Sequence, residues 1–319
     1  MWKTILRRVI LMIPQIIILS LFIFLLAKMM PGDPFTGLIN GKTSAAQIAL
    51  LRKEAGLNDP WYIQYVRWVN NALHGNFGMS YQYNRPVIEL ISERATNTLY
   101  LSILSVLLTY IIAIPLGIWA GRYEGSWIDN SIQFYNFIAL SVPPFVFYLL
   151  GIALFGFVWH WFPTSGSISV SASGGFGIFL SRLYHIILPS LLIALLSNAG
   201  TVQYLRSGIV DNKLEDYVKT ARSKGVPERV VFNRHILRNS LLPVAAFLGN
   251  VITGLLGGTI FAETIFAYPG MGKLFIDSVS ARDYTVMTSL VLLYGCLTLL
   301  GNLLSDIIMS IVDPRIRID

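Results

Sequence analysis

Charge is scarce in this sequence, and cysteine is nearly absent. Only 13% of its 319 residues are Asp, Glu, Lys or Arg, against about 25% in soluble domains, which excludes an ordinary water-soluble globule. The single cysteine, Cys296, cannot form an intrachain disulfide; inside an apolar run it reads as a small apolar side chain. The histidines His74, His160, His185 and His235 are scattered without ligand spacing, which argues against a metal centre. No nucleophile triad or carboxylate pair stands out, so enzyme readings rank low.

Two stretches come close to a nucleotide-binding loop without forming one. In "TGLINGKT" (36–43) Gly37 stands one position late, and "AYPGMGKL" (267–274) has Ala267 and Leu274 where the motif needs Gly and a hydroxyl residue. The expectation is a chain without its own ATPase site.

Long apolar runs dominate what is present. The chain is 54% hydrophobic, with mean hydropathy +0.61, and six runs approach the roughly 20 residues a helix needs to cross a bilayer: 9–30, 98–121, 133–159, 185–205, 241–262 and 286–308. Lipid leaves an isolated backbone segment no partner but its own helix, so all six read as helices. The fold class expected is an all-α integral membrane protein. The first run is longer than a signal-peptide core and lacks a cleavage site, so it reads as an uncleaved helix. With the N-terminus inside, the inner pieces carry fourteen Lys and Arg and the short outer loops three, a positive-inside pattern that places both termini in the cytoplasm. Topology therefore accounts for the net charge of +7, and no nucleic-acid partner is needed.

The division expected is a first helix with a folded outer segment (1–97), then a five-helix core (98–319) with an inner loop at about 206–240. In the outer segment Ser44 to Gln47 has capping-box spacing and Gly56 reads as a helix stop. Trp61, Tyr65 and Trp68 form a helical stripe suited to the membrane interface. In the inner loop, Asn212 and Glu215 have capping-box spacing, Leu214, Val218 and Ala221 share a face, and Gly225 and Pro227 end the helix. That reading gives a short amphipathic helix of about 12 residues, marginal alone in water and in need of a surface to rest on: headgroups or a protein groove. Gly254 and Gly258 form a G-x-x-x-G packing face. The span centres hold no ionisable residue; Glu263 and Asp306 fall near span ends, where partial hydration makes them inexpensive. A proton-coupled carrier is thereby disfavoured.

"DYVKTARSKG" (216–225) followed by "RHILRNSLLP" (234–243) resembles the "EAA" loop of ABC importer permeases in the form used by the peptide/nickel branch, which includes oligopeptide and dipeptide permeases. "MPGDPF" (30–35), "GLNDPW" (56–61), "GNFGMS" (75–80), "RPV" (85–87), "SVPPFVF" (141–147), "ETIFAYPGMG" (263–272), "RDY" (282–284) and "DPRIR" (313–317) extend the resemblance over almost the whole chain. Two departures are Lys219, where the general loop has Glu, and Thr285, where the branch commonly has Pro. The resemblance implies an ABC importer permease fold with a cytoplasmic coupling helix, a second homologous permease, two cytoplasmic ABC ATPase subunits that hold ATP and Mg, and an extracytoplasmic peptide-binding protein. No cofactor is implied for this chain, and membrane lipid surrounds it. The coupling loop would comprise Asp216, Tyr217, Lys219, Thr220, Ala221, Arg222, Lys224 and Gly225. Asn198, Gln203, Asn250 and Thr253 are polar candidates for the translocation pathway. Dipeptide or nickel transport is the near alternative; an ion-coupled secondary transporter or a non-transporting scaffold would be a different class.

Overall fold

The computed structural model describes residues 2–29, 50, 58–246, 248–255 and 260–312. The Ser44–Gln47 spacing, Gly56, the 36–43 stretch, Gly258 and "DPRIR" lie outside the described residues. Those described are almost wholly helical, with a single isolated β-bridge between Met79 and Pro86.

In chain order the helices are α1 (Trp2–Met29), α2 (Trp61–Leu73), α3 (Val87–Arg122), α4 (Trp127–Ser141) and α5 (Pro144–Val158), whose second half winds as a wider π-type coil. There follow α6 (Gly174–Lys213), α7 (Asp216–Ser223) and α8 (228–240), also π-wound in its middle. The last are α9 (Leu242–Ala246), α10 (Leu248–Gly254), α11 (Ile260–Ile265), α12 (Met271–Ala281) and α13 (Tyr284–Val312). Four of them, α1, α3, α6 and α13, are long and apolar enough to cross a membrane.

The run 133–159 is not the single helix its composition suggests. It divides into α4 and α5, which bend by 101°, because Pro143 and Pro144 withdraw two backbone donors and Pro144 then opens a new helix. In the run 241–262 the described residues form α9, α10 and α11. Pro115 and Pro189, by contrast, sit inside unbroken helices. At 1.5 Å per residue the 40-residue α6 is about 60 Å long, twice the hydrocarbon thickness, and it continues past the span to carry α7 at its foot. Helix α3 runs unbroken through residues 97 and 98.

Helices α3 and α6 form the most extensive pair in the bundle. They approach closely because Gly117 and Gly121 face Leu205 and Ile209; a Cβ at Gly121 would lie 2.7 Å from Ile209 Cβ. The expected packing glycine, Gly254, has open space beside it instead. Helix α4 is tied to α6 by Asp129, almost fully buried, whose carboxylate takes both Nε (2.6 Å) and Nη2 (2.7 Å) of Arg206. Asp129→Asn keeps the shape and loses the charge, so we expect about 2 kcal/mol of destabilisation. Adding Arg206→Gln should recover part of it in thermal melts of detergent-solubilised protein.

The end of the bundle away from α7 is closed by Glu263. Its carboxylate is fully buried rather than hydrated, a correction to the inexpensive terminal site expected above. It accepts from Thr98 Oγ1 (3.0 Å) and from the backbone N–H of Lys273 (3.0 Å), while Thr98 accepts from Met271 N–H (2.8 Å). The carboxylate occupies the space a Cβ at Gly270 would need, and at Gly272 a Cβ would meet Ile260 Cα first and the carboxylate next. Asn97 and Tyr268 add two further bonds between α3 and this segment. The "AYPGMGKL" glycines are thus packed around a side chain, and two of its amides are spent. Asp283, also buried, begins α13 by accepting from Val286 N–H, and holds residues 80–82 through Ser80 Oγ (2.5 Å) and Gln82 N–H (3.2 Å).

Helix α2 docks its Tyr65 and Trp68 on Phe24 of α1, with the Tyr65 hydroxyl 2.8 Å from Ser20 Oγ. Arg8 pairs with Asp306 at 3.0 Å, joining α1 to α13.

Candidate functional site

Two neighbouring features stand out: the exposed α7 at one end of the bundle, and two adjoining cavities inside it.

Helix α7 is shorter than the spacing suggested. Asn212 does not cap it, because α6 runs on to Lys213 and Asn212 belongs to that helix's last turn; Glu215 takes the N-cap position without a side-chain cap. Leu214 is correspondingly exposed rather than on the packed face. Val218 and Ala221 are buried, packing with Leu205, Ile209, Val231, Phe232 and Ile236. Eight residues do not hold a helix in water, and this apolar contact with α6 and α8 is what stabilises it.

The stop at Gly225 forms as the sequence implied. Its φ of +72° is left-handed; its N–H reaches Arg222 O (2.9 Å) and the N–H of Val226 reaches Ala221 O (3.2 Å), the paired bonds of a Schellman turn. Across the turn, Arg222 grips Glu228 through Nε (3.1 Å) and Nη2 (2.8 Å). This hydrogen bond holds the Glu228 carboxyl below the usual glutamate range, so the clamp is complete at neutral pH and opens only as acid protonates Glu228. Asp216 is similarly lowered by its bond to Lys219 at 2.9 Å, and Thr220 Oγ1 returns to Asp216 O.

Of the loop residues singled out, Asp216, Tyr217, Lys219, Thr220, Arg222, Lys224 and Gly225 are exposed on one end of the molecule, whereas Ala221 turns into the bundle. Residues missed by pattern reading hold the loop from behind. Arg122 lies 5.0 Å over the Phe232 ring, and Lys213 donates to Arg122 O and pairs with Glu124. Their partners are remote in sequence, so no local spacing announces them.

The larger cavity, roughly 310 Å³, is lined by Ser102, Ser105 and Thr109 of α3, Ser197 and Thr201 of α6, and Val251, Gly254 and Leu255 at the α10 end. A second, roughly 210 Å³, shares Tyr110, Ser197, Thr201 and Val251 with it. Among the described residues, no ionisable side chain other than tyrosine lines either. Ser105 and Thr109 hydroxyls are bonded to carbonyls of their own helix, so the wall offers weak, satisfied polarity. The four polar pathway candidates lie elsewhere. Asn198 is buried against the Tyr135 hydroxyl, Asn250 and Thr253 press on Gly301 of α13, and Gln203 is exposed outside both cavities. Helix rotation sets this: Asn198 follows Ser197 by about 100° around α6, enough to turn it from cavity to helix contact.

An all-helical multi-pass bundle with an exposed loop helix at one end and a hydroxyl-lined cavity within belongs to the class of membrane transport subunits. More particularly, residues 113–318 match the family model described as binding-protein-dependent transport system inner membrane component, and residues 1–102 match the N-terminal model of such membrane components; the chain belongs to this family and is a permease subunit. It is 40% identical over 314 residues to the oligopeptide transport system permease protein AppB of Bacillus subtilis (strain 168), covering 98% of each chain. It is 35% identical over 317 residues to the glutathione transport system permease protein GsiC of Escherichia coli O1:K1 / APEC, covering 99% of each. In fold it resembles a chain of the MetNI methionine ABC transporter in an inward-facing form, with TM-score 0.54 at 15% identity, covering 71% of this chain and 97% of that one.

Proposed function

We propose that this chain is one half of a permease pair that carries oligopeptides across the bacterial cytoplasmic membrane by alternating access. Both termini and α7 face the cytoplasm, where two ABC ATPase subunits bind ATP and Mg and press on the exposed residues of 216–225; the chain itself holds no nucleotide. A binding protein outside supplies the peptide. The observation that carries the substrate class is the 40% identity to an oligopeptide permease along 98% of the chain. The cavity wall supports it: uncharged hydroxyls and aliphatic groups suit a substrate whose side chains vary, because no fixed charge rejects any of them. The stripe Ser102, Ser105, Thr109, Ser197 and Thr201 is the pathway surface on this chain.

Mechanistically, an ATPase contact that favours one arrangement of the bundle shifts its population by the difference in binding free energy between arrangements. The apolar underside of α7 passes that bias to α6 and α8. The test is reconstitution in proteoliposomes with a second permease, two ABC ATPases and a peptide-binding protein. ATP-dependent uptake of labelled tri- to pentapeptides is expected, and nickel uptake with no peptide uptake would overturn the substrate class.

A further inference from the structure

Behind α7, one side-chain amide joins three helices. Asn212, in the last turn of α6, donates from Nδ2 to Gly208 O (2.7 Å) and to Ser240 Oγ (3.3 Å), and its Oδ1 accepts from the Tyr217 hydroxyl of α7. Ser240 of α8 is fully buried. Its own proton goes to Ile236 O at 2.9 Å, which leaves the oxygen lone pairs to accept from Asn212. The backbones are close here: a Cβ at Gly208 would lie 3.4 Å from Ser240 O.

One of these helices, α6, walls the larger cavity. Ser197 and Thr201 lie on the unbroken α6, about three to four turns above Asn212, and Val251 of α10 follows Ser240 by eleven residues in sequence. Apolar contacts beneath Val218 and Ala221 can slide; a hydrogen-bonded amide with three partners fixes direction as well as distance.

We propose that Asn212 is the positioning residue that transmits displacement of α7 at Tyr217 to the cavity-walling α6 and to α8 at once; this rests on the transport function proposed above. Severing either arm lets ATP be hydrolysed without the matched movement of α6 and α8. Asn212 touches neither substrate nor nucleotide and acts only through Tyr217 and Ser240.

The experiment uses the complete complex in proteoliposomes and measures ATP hydrolysed per labelled tripeptide imported, with thermal stability of each variant recorded alongside. Tyr217→Phe removes one hydroxyl on the exposed side, and Ser240→Ala removes the other arm. Each is expected to raise the ratio about fivefold, the weight of one net hydrogen bond. Asn212→Ala should raise it at least as far, and Asn212→Ala with Tyr217→Phe no further than Asn212→Ala alone, as for members of one unit. A wild-type ratio in both single-arm variants overturns the proposal, and so does lowered thermal stability at an unchanged ratio, which marks a merely structural contact. If the wild-type complex imports no tripeptide with ATP, the transport reading itself fails and this inference falls with it.

Discussion

Glu263→Ala is expected to lower the thermal unfolding midpoint in detergent by roughly 8 °C, corresponding to about 4 kcal/mol. Two donors, Thr98 Oγ1 and Lys273 N–H, now end on its carboxylate in a fully buried site. Stranding each costs about 1–3 kcal/mol, and the emptied volume adds a cavity term. Glu263→Gln keeps one acceptor and turns a donor toward the other partner, so its loss should be about half as large. Gly270→Ala probes the same space from the opposite side, since the added methyl would meet the carboxylate. The Glu263→Ala and Gly270→Ala double variant should therefore lose less than the two single losses added together. Strict additivity by fluorescence-detected melts would refute this packing account.

Gly225→Pro is expected to abolish ATP-dependent uptake, by more than about tenfold, while the protein still inserts and assembles. Proline fixes φ near −65°, against +72° here, and it removes the N–H that closes on Arg222 O. The Schellman turn cannot form, Arg222 and Glu228 lose their alignment, and α7 no longer lies on α8. The cost falls on a surface turn outside the membrane, which is why insertion survives. Gly225→Asn is the control: asparagine tolerates the left-handed region, so it should keep most of the uptake. Normal uptake by a well-expressed Gly225→Pro complex would contradict the coupling role of the loop.

Both predictions concern residues visible in the sequence, yet only one was valued correctly there. Gly225 followed by Pro227 announces a helix stop because the reason is local: backbone conformation and a missing donor act over a few residues. Glu263 looked like a hydrated residue at a span end. Its burial depends on Thr98, 165 positions away, and on Gly270, whose size matters only once the carboxylate lies against it.

The same division explains Asn212. Three residues before a glutamate, it has the spacing of a cap, but the preceding helix is 40 residues long and its packing on α3 carries it past that point. Tertiary contact overrides a capping preference worth about 1 kcal/mol.

By itself the sequence determined the class: low charge and repeated apolar runs admit only a helical membrane protein, since lipid cannot hydrogen-bond a backbone. It also located the loop, because charge distribution, Gly225 and the apolar pair Val218 and Ala221 are short-range signals. Only the tertiary structure decided which hydroxyls face the cavity and which polar groups are spent holding helices together. Those outcomes follow from the rotation of each helix about its axis and from partners far away in the chain, and a 100° turn between Ser197 and Asn198 is enough to separate cavity from contact.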